Sequence, residues 1–210
     1  MKAILLSGGI DSTAIAYWRR PDIAVTIDYG QAAAEAEIEA SRTICSRLDM
    51  RHELIVVDCS SLGVGNMSGR RPSPLAHSPE WWPYRNQLLV TLAGMRLVDQ
   101  GVAEIMIGTV LGDGRHADGR PQFVRTISDL MGMQEGGVQV SAPAFDLTSE
   151  DLVTASGIPR SLLGYTYSCH VSRYACGRCR GCAKHRQVMD FAAKCATTLL
   201  NVAQQATATK

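Results

Sequence analysis

The sequence predicts an α/β protein: a doubly wound parallel sheet, with a short C-terminal segment carrying a cysteine cluster. Three observations predict it. Short apolar runs alternate with helix-length stretches, the β-α-β-α-β order that a parallel sheet covered on both faces requires. A glycine pair stands directly after the first apolar run. Four of the seven cysteines fall between residues 169 and 182.

Lys2–Leu6 reads as the first strand and Ile10–Arg19 as the helix that follows it. Ile23–Ile27 is the second strand, and Gln31–Leu48 an Ala- and Glu-rich helix with Ile38, Ser41, Cys45 and Leu48 on one face. His52–Val57 is the third strand, Arg85–Gln100 a further helix, and Glu104–Gly108 the fourth strand. Two segments resist this alternation. Cys59–Pro83 carries Pro72, Pro74, Pro79 and Pro83 among Gly and Ser, and reads as a long loop or lid of functional origin. Leu111–Pro121 is rich in Gly, Asp, Arg and His just past a strand, where open α/β sheets place their sites. The tail after Leu200 is expected to fray.

At 210 residues and 46% hydrophobic, the chain is long enough for one substantial core. We divide it into a nucleotide-binding unit, residues 1–160, and a helical metal-binding segment, 161–210, packed on the same domain. The net charge of +1 disfavours a broad phosphate-neutralising surface for nucleic acid. That average hides a split, because residues 160–210 hold 8 Lys and Arg against 1 acidic residue. No run is long enough for a membrane span, and an odd cysteine count without a signal sequence points to a reducing cytoplasm.

The string Ser7-Gly8-Gly9-Ile10-Asp11-Ser12, with Thr13 behind it, lies between the first strand and its helix. Glycines let backbone N–H groups approach an anion closely, the helix N-terminus adds about half a positive charge, and the hydroxyls add donors. A tight strand-to-helix turn is the plainer alternative. The loop lacks the Gly-Lys-Ser/Thr of a Walker A motif. Cys169-x6-Cys176-x2-Cys179-x2-Cys182 offers four thiolates suited to a closed, structural tetrahedral Zn²⁺ site. Arg173, Arg178, Arg180 and Lys184 are placed to offset its negative charge. Free buried cysteines and an iron–sulfur cluster are the alternatives, and His170 and His185 are expected to be bystanders.

The Ser7–Ser12 string resembles the pyrophosphate-binding loop of the PP-loop ATP pyrophosphatases, a Rossmann-like class that splits ATP into AMP and pyrophosphate. With the cysteine cluster, it resembles the QueC family of 7-cyano-7-deazaguanine (preQ0) synthases. The likeness extends to Asp28-Tyr29-Gly30-Gln31, to Pro83-x-Arg85-Asn86 and to Asp118-x-Arg120, covering about Lys2 to Arg186. It implies ATP-dependent adenylation of 7-carboxy-7-deazaguanine, then amide formation with ammonia and dehydration to a nitrile. Ser7, Gly8, Gly9, Asp11, Ser12 and Thr13 would hold pyrophosphate with Mg²⁺, and Asp28, Tyr29 and Gln31 would lie near the nucleotide. Arg85, Asn86, Asp113, Asp118 and Arg120 would line the pocket where deazaguanine meets ATP, with Asp11, Ser12, Asp113 and Arg120 nearest the chemistry. A homodimer is part of the same expectation.

The chain also departs from the family pattern. Ala32 and Ala33 stand where the family usually has Arg-His, Gly119 where it has Cys, and Thr148–Ser149 near an expected Lys. QueC-like enzymes of antiphage (type IV CBASS) operons attach the deazaguanine to a protein N-terminal amine, and an altered substrate pocket suits that branch. The acceptor, ammonia or an acceptor protein, stays open. A different PP-loop enzyme acting on tRNA, and a zinc-stapled nucleotide sensor, are the competing readings.

Overall fold

A computed structural model describes the backbone of residues 1–208 and the side chains of residues 1–195. Strand β1 is Lys2–Leu5, β2 Ile23–Asp28, β3 Arg51–Val56, β4 Glu104–Met106 and β5 Gln139–Ser141. They form one sheet in the order β3-β2-β1-β4-β5, every neighbouring pair parallel. The helices are α1 (Ile10–Arg19), α2 (Ala34–Leu48), α3 (Arg85–Leu97), α4 (Pro121–Gly132), α5 (Ser149–Ser156), α6 (Arg160–Leu163) and α7 (Arg180–Ala208). The expectation of a frayed tail after Leu200 falls on residues whose side chains lie outside those described.

Alternation along the strands sorts the core onto two faces. Ile4 and Leu6 pack with Ile10, Ala14 and Ile15 of α1, Ile44 and Cys45 of α2, Leu152 of α5, Leu163 of α6 and Val188 of α7. Ala3, Ile23 and Val25 point the other way, onto Ala93 and Leu97 of α3. Ile107, Val140 and Val90 gather Ile127 and Met131 of α4 on that second face. Each fully buried aliphatic contributes about 2 kcal/mol, so both faces are required.

Local chemistry sets the element ends. Helix α1 stops at Arg20, whose left-handed conformation turns its N–H onto Ala16 O. Pro121 opens α4 at the position where its missing N–H costs nothing. Thr148 caps α5, its hydroxyl accepting from Asp151 N at 3.1 Å, so the Thr148–Ser149 segment serves as a helix start. The second helix begins at Ala34, three residues later than the sequence suggested, because Gln31–Ala33 form the turn leading into it.

The proline-rich stretch is not a loose flap. It folds into two short 3₁₀ turns, Ser60–Leu62 and Asn66–Ser68, and drives Met67 and Trp82 into the core. Trp82 meets Tyr29 edge-on with ring centroids 4.9 Å apart. Met67 O accepts Ala32 N at 2.7 Å, and Pro79 O accepts Asn66 N at 2.7 Å.

Chain order reverses between β1 and β4. In an open α/β sheet the crevice outside the strand ends at such a point is where ligands bind.

Candidate active site

A cavity of about 290 Å³ opens at the carboxyl ends of β1 and β4. The loop after β1 forms its floor. Gly8 has φ +73, and a Cβ there would stand 2.6 Å from the Cβ of Ala40 on α2, so only glycine fits. Gly9 precedes α1 in an extended conformation and has no capping side chain, which leaves the first N–H groups of α1 available. Ser12 Oγ donates to Gly9 O at 3.2 Å and lies 3.5 Å from Ser7 Oγ, while Gly9 N donates to Ser7 Oγ at 3.4 Å. These weak internal bonds are easily exchanged for phosphate oxygens.

Asp11 on the first turn of α1 accepts from Lys184 Nζ at 2.6 Å through Oδ2. Its Oδ1 is buried without a partner. Thr13 is fully buried behind the loop, its Oγ1 equally unpartnered.

The opposite wall comes from α3 and the loop after β4. Arg85 donates to Asn86 Oδ1 and to the sulfur of Met67, both at 3.3 Å, and stands within hydrogen-bond reach of the Tyr29 hydroxyl. Among the described residues it has no ion pair, although burial works against its charge and Tyr29, Asp118, Glu37 and Asp113 favour it. Asn86 Nδ2 donates to Asp118 O at 3.2 Å, tying α3 to the loop. Asp113 Oδ2 accepts from Val110 N at 3.1 Å. Burial and the neighbouring Arg115 push His116 below its usual range, which favours the neutral ring.

The structure thus brings Ser7, Gly9, Asp11, Ser12, Tyr29, Arg85, Asn86, Asp113 and Asp118 to one cavity. Others stand outside its lining. Gly8 supports the loop from behind, with its carbonyl accepting from Tyr167 N at 2.8 Å. Asp28 Oδ1 accepts from Gly30 N at 3.0 Å and shapes the turn. Gln31 is buried, bridging Tyr29 N, Ile27 O and Glu37 Oε2. Arg120 is exposed, with its Nε on Gly114 O at 3.1 Å.

Several lining residues are not read as part of this site from the sequence. Glu37 on α2 faces the cavity, and burial raises its carboxyl to about 7 despite the bond from Gln31. Tyr167, Ser168, His170, Lys184 and His185 arrive from the C-terminal segment. A lone Glu in an Ala/Glu helix looks solvated, a histidine beside cysteines looks like a bystander, and a lysine there looks like a counter-ion for thiolates. Only the three-dimensional packing separates these cases.

The Sγ atoms of Cys169, Cys176, Cys179 and Cys182 all lie within 4.8 Å of one another. Two of the separations are 3.9 Å, close to the roughly 3.8 Å edge of a tetrahedron with ~2.3 Å metal–sulfur bonds. Backbone N–H groups of Arg178 and Cys179 hold the Cys176 thiol below its ordinary value, whereas burial pushes Cys182 up to about 12. A soft divalent cation would offset that cost, and four clustered thiols form a donor set that fits zinc. His170 and His185 are outside the set, His185 Nδ1 lying 3.2 Å from Ser168 Oγ. The neighbouring cations do not all serve the thiolates as expected. Lys184 pairs with Asp11 at 2.6 Å and Arg173 with Glu35 at 2.7 Å, because each reaches a carboxylate from another part of the chain.

A parallel sheet with Ser-Gly-Gly-x-Asp-Ser at the end of its first strand, facing a polar strand-end loop, places the protein among the PP-loop α/β enzymes. A family model described as "Queuosine biosynthesis protein QueC" matches residues 2–192. The chain belongs to the QueC family. It is 31% identical over 218 residues to the 7-cyano-7-deazaguanine synthase of Methanothermobacter thermautotrophicus, covering 91% of this chain and 96% of that one. The 7-cyano-7-deazaguanine synthase 1 of Sulfurisphaera tokodaii is 29% identical over 91% of this chain and 94% of its own length. That of Porphyromonas gingivalis is 26% identical over 90% and 92%. A solved NMN synthetase from Francisella tularensis aligns with a TM-score of 0.44 at 14% identity, over 77% of this chain and 63% of that one, too distant to bear on function.

Proposed function

We propose that this chain is a 7-cyano-7-deazaguanine synthase that uses ATP to activate the carboxylate of 7-carboxy-7-deazaguanine. One observation carries the reading. The uncapped N-terminus of α1 and the Arg85 guanidinium, which has no ion pair among the described residues, face the same cavity. The first suits a phosphate chain and the second a carboxylate.

In this reading the substrate carboxylate oxygen attacks the α-phosphorus, and the bond to the departing pyrophosphate breaks. The glycine loop, Ser7 and Ser12 hold that pyrophosphate. Arg85 orients the carboxylate, which is a poor electrophile until AMP is attached as a leaving group. Ammonia then attacks the acyl carbon and expels AMP, giving the amide. A second ATP takes the amide oxygen away as AMP and leaves the nitrile. Asp113 and Asp118 accept the ring and amino N–H donors of the guanine-like base.

Mg²⁺ would shield the phosphate charges, and the buried, unpartnered Oδ1 of Asp11 is an atom suited to it. Zinc on the four cysteines would be structural, since four protein ligands leave no open position. Residues 1–160 then carry the nucleotide, and 161–210 the metal. Among the described residues no helix is long and apolar enough to cross a membrane. The unpaired thiols suit a reducing cytoplasm.

The test is incubation with ATP, Mg²⁺, 7-carboxy-7-deazaguanine and ammonia, following AMP and product mass. The nitrile mass with AMP release supports the reading. No AMP under these conditions refutes it. Product that halts at the amide separates activation from dehydration and points to an enzyme that makes the amide only.

A further inference from the structure

Lys184 and Arg180 sit one turn apart on the same face of α7, the helix that begins inside the cysteine cluster. Each is held by a carboxylate from a distant part of the chain. Lys184 Nζ meets Asp11 Oδ2 at 2.6 Å, and Arg180 lies 3.9 Å from Glu80 of the proline-rich loop. Glu80 Oε1 also lies 3.7 Å from Arg115 and 3.9 Å from His116, yet it has no hydrogen-bond partner and its side chain is only 10% exposed.

These groups border a side cavity of about 130 Å³ that shares Lys184, Arg85 and Asp113 with the main one. Four cations (Arg85, Arg115, Arg180 and Lys184) face the three carboxylates Glu80, Asp113 and Asp118 at its walls, with Asp11, the partner of Lys184, outside that lining. An anion that displaces Asp11 and Glu80 from these cations would meet the positive charge they now neutralise.

The start of α7 is fixed with little freedom. Cys182 is in its first turn, and the Cys182 and Cys179 N–H groups donate to Cys179 and Cys176 sulfurs at 3.4 and 3.3 Å. Gly181, between Arg180 and Cys182, is packed so tightly on Ser168 O and the His170 ring that any side chain would collide. The lysine is therefore aimed by the cluster.

The glycine loop alone offers N–H donors and a half charge, while a triphosphate brings about four negative charges. We infer that Lys184, with Arg180 beside it, forms the second wall of the phosphate site opposite the glycine loop, positioned there by the cysteine cluster. Asp11 and Glu80 hold the two cations until phosphate replaces them. The inference rests on the ATP-dependent reading above and gives the metal-binding segment a direct part in it.

The test is calorimetric titration of the full chain with inorganic pyrophosphate without a divalent cation, with ATP, and with AMP. Lys184→Met is expected to weaken pyrophosphate and ATP at least tenfold, leave AMP unchanged and keep the metal content. Lys184→Arg should restore most of the loss. In Asp11→Asn/Lys184→Met the weakness should persist; recovery there would mean that Lys184 only neutralises Asp11, and would overturn the inference. Equal loss for AMP and ATP, or none for either, would overturn it too. If Lys184→Met does not fold, Arg180→Met and Lys184→Gln carry the same comparison. Wild-type protein that binds neither ATP nor pyrophosphate would refute the ATP-dependent reading itself.

Discussion

The backbone of Gly119 is stacked directly on that of Asp113: a Cβ at 119 would collide with the Asp113 carbonyl oxygen and stand 2.8 Å from its carbon. Two successive turns bring them together, His116 N bonding Asp113 O at 3.0 Å and Gly119 N bonding His116 O at 3.1 Å. The position where the family pattern has a cysteine is thus sterically closed in this chain. Gly119→Cys is expected to displace Asp113 and Asp118 from the cavity, at about 2 kcal/mol in stability. AMP formation should fall at least tenfold while the metal content stays constant. Activity equal to the parent would show that the loop repacks freely.

Gly8 and Ala40 make a second steric pair, and here two costs can be separated. Gly8→Ala adds a Cβ clash to a left-handed conformation, for about 2–4 kcal/mol in total. Ala40→Gly alone costs about 1 kcal/mol of helix propensity. In the double variant the Ala40 clash is removed, while the left-handed strain and the 3.2 Å approaches to Glu37 O and Ser41 N remain. Denaturant unfolding should therefore show the double variant more stable than the sum of the two single losses. Simple additivity would mean that the contact is not the source of the cost.

The cysteine cluster predicts a split between two thiols only sixteen residues apart, Cys179 and Cys195. Cys179→Ser breaks a four-sulfur set whose members lie within 4.8 Å of one another. Bound metal should drop from about one per chain towards zero, and stability should fall by 3 kcal/mol or more. Cys195→Ser, exposed and outside the set, should change neither. Metal analysis with thermal unfolding reads both. A Cys179→Ser protein that kept its metal and its melting temperature would remove the cluster's structural role.

What the sequence made legible follows from how local each signal is. The first four strands and the glycine loop were readable because apolar runs and a fixed strand–loop–helix string are contiguous. Strand β5 was not, since Gln139–Ser141, between Gly136-Gly137 and Pro143, lacks a contiguous apolar run like the Ile105-Met106-Ile107 that marked β4. Tyr29 and Arg85 line the cavity, whereas Gln31 spends its amide on the turn that holds Tyr29 and Glu37. Lys184 looked like a counter-ion for thiolates because its neighbours in sequence are cysteines. Its partner, Asp11, is 173 residues away, and no local pattern encodes that distance.

Glu37 makes a prediction in which the sign is informative. Burial raises its carboxyl from 4.5 in the unfolded chain to about 7, against the opposing bond from Gln31 and the charge of Arg85. Between those values the folded protein holds a proton that the unfolded chain has released. This contribution to stability is therefore complete below about pH 4.5, is lost as pH rises towards 7, and is flat above that. Glu37→Gln keeps an acceptor for Gln31 and removes the ionisation. The difference in unfolding free energy between variant and parent should grow with pH across this window by about 1–2 kcal/mol, less than the full shift implies because the carboxyl borders a solvent-filled cavity. At pH 8 the variant should be the more stable protein. A pH-independent difference, or one growing in the acid direction, would show that Glu37 is ionised in the folded state and paired, with Arg85 as its nearest source of compensation.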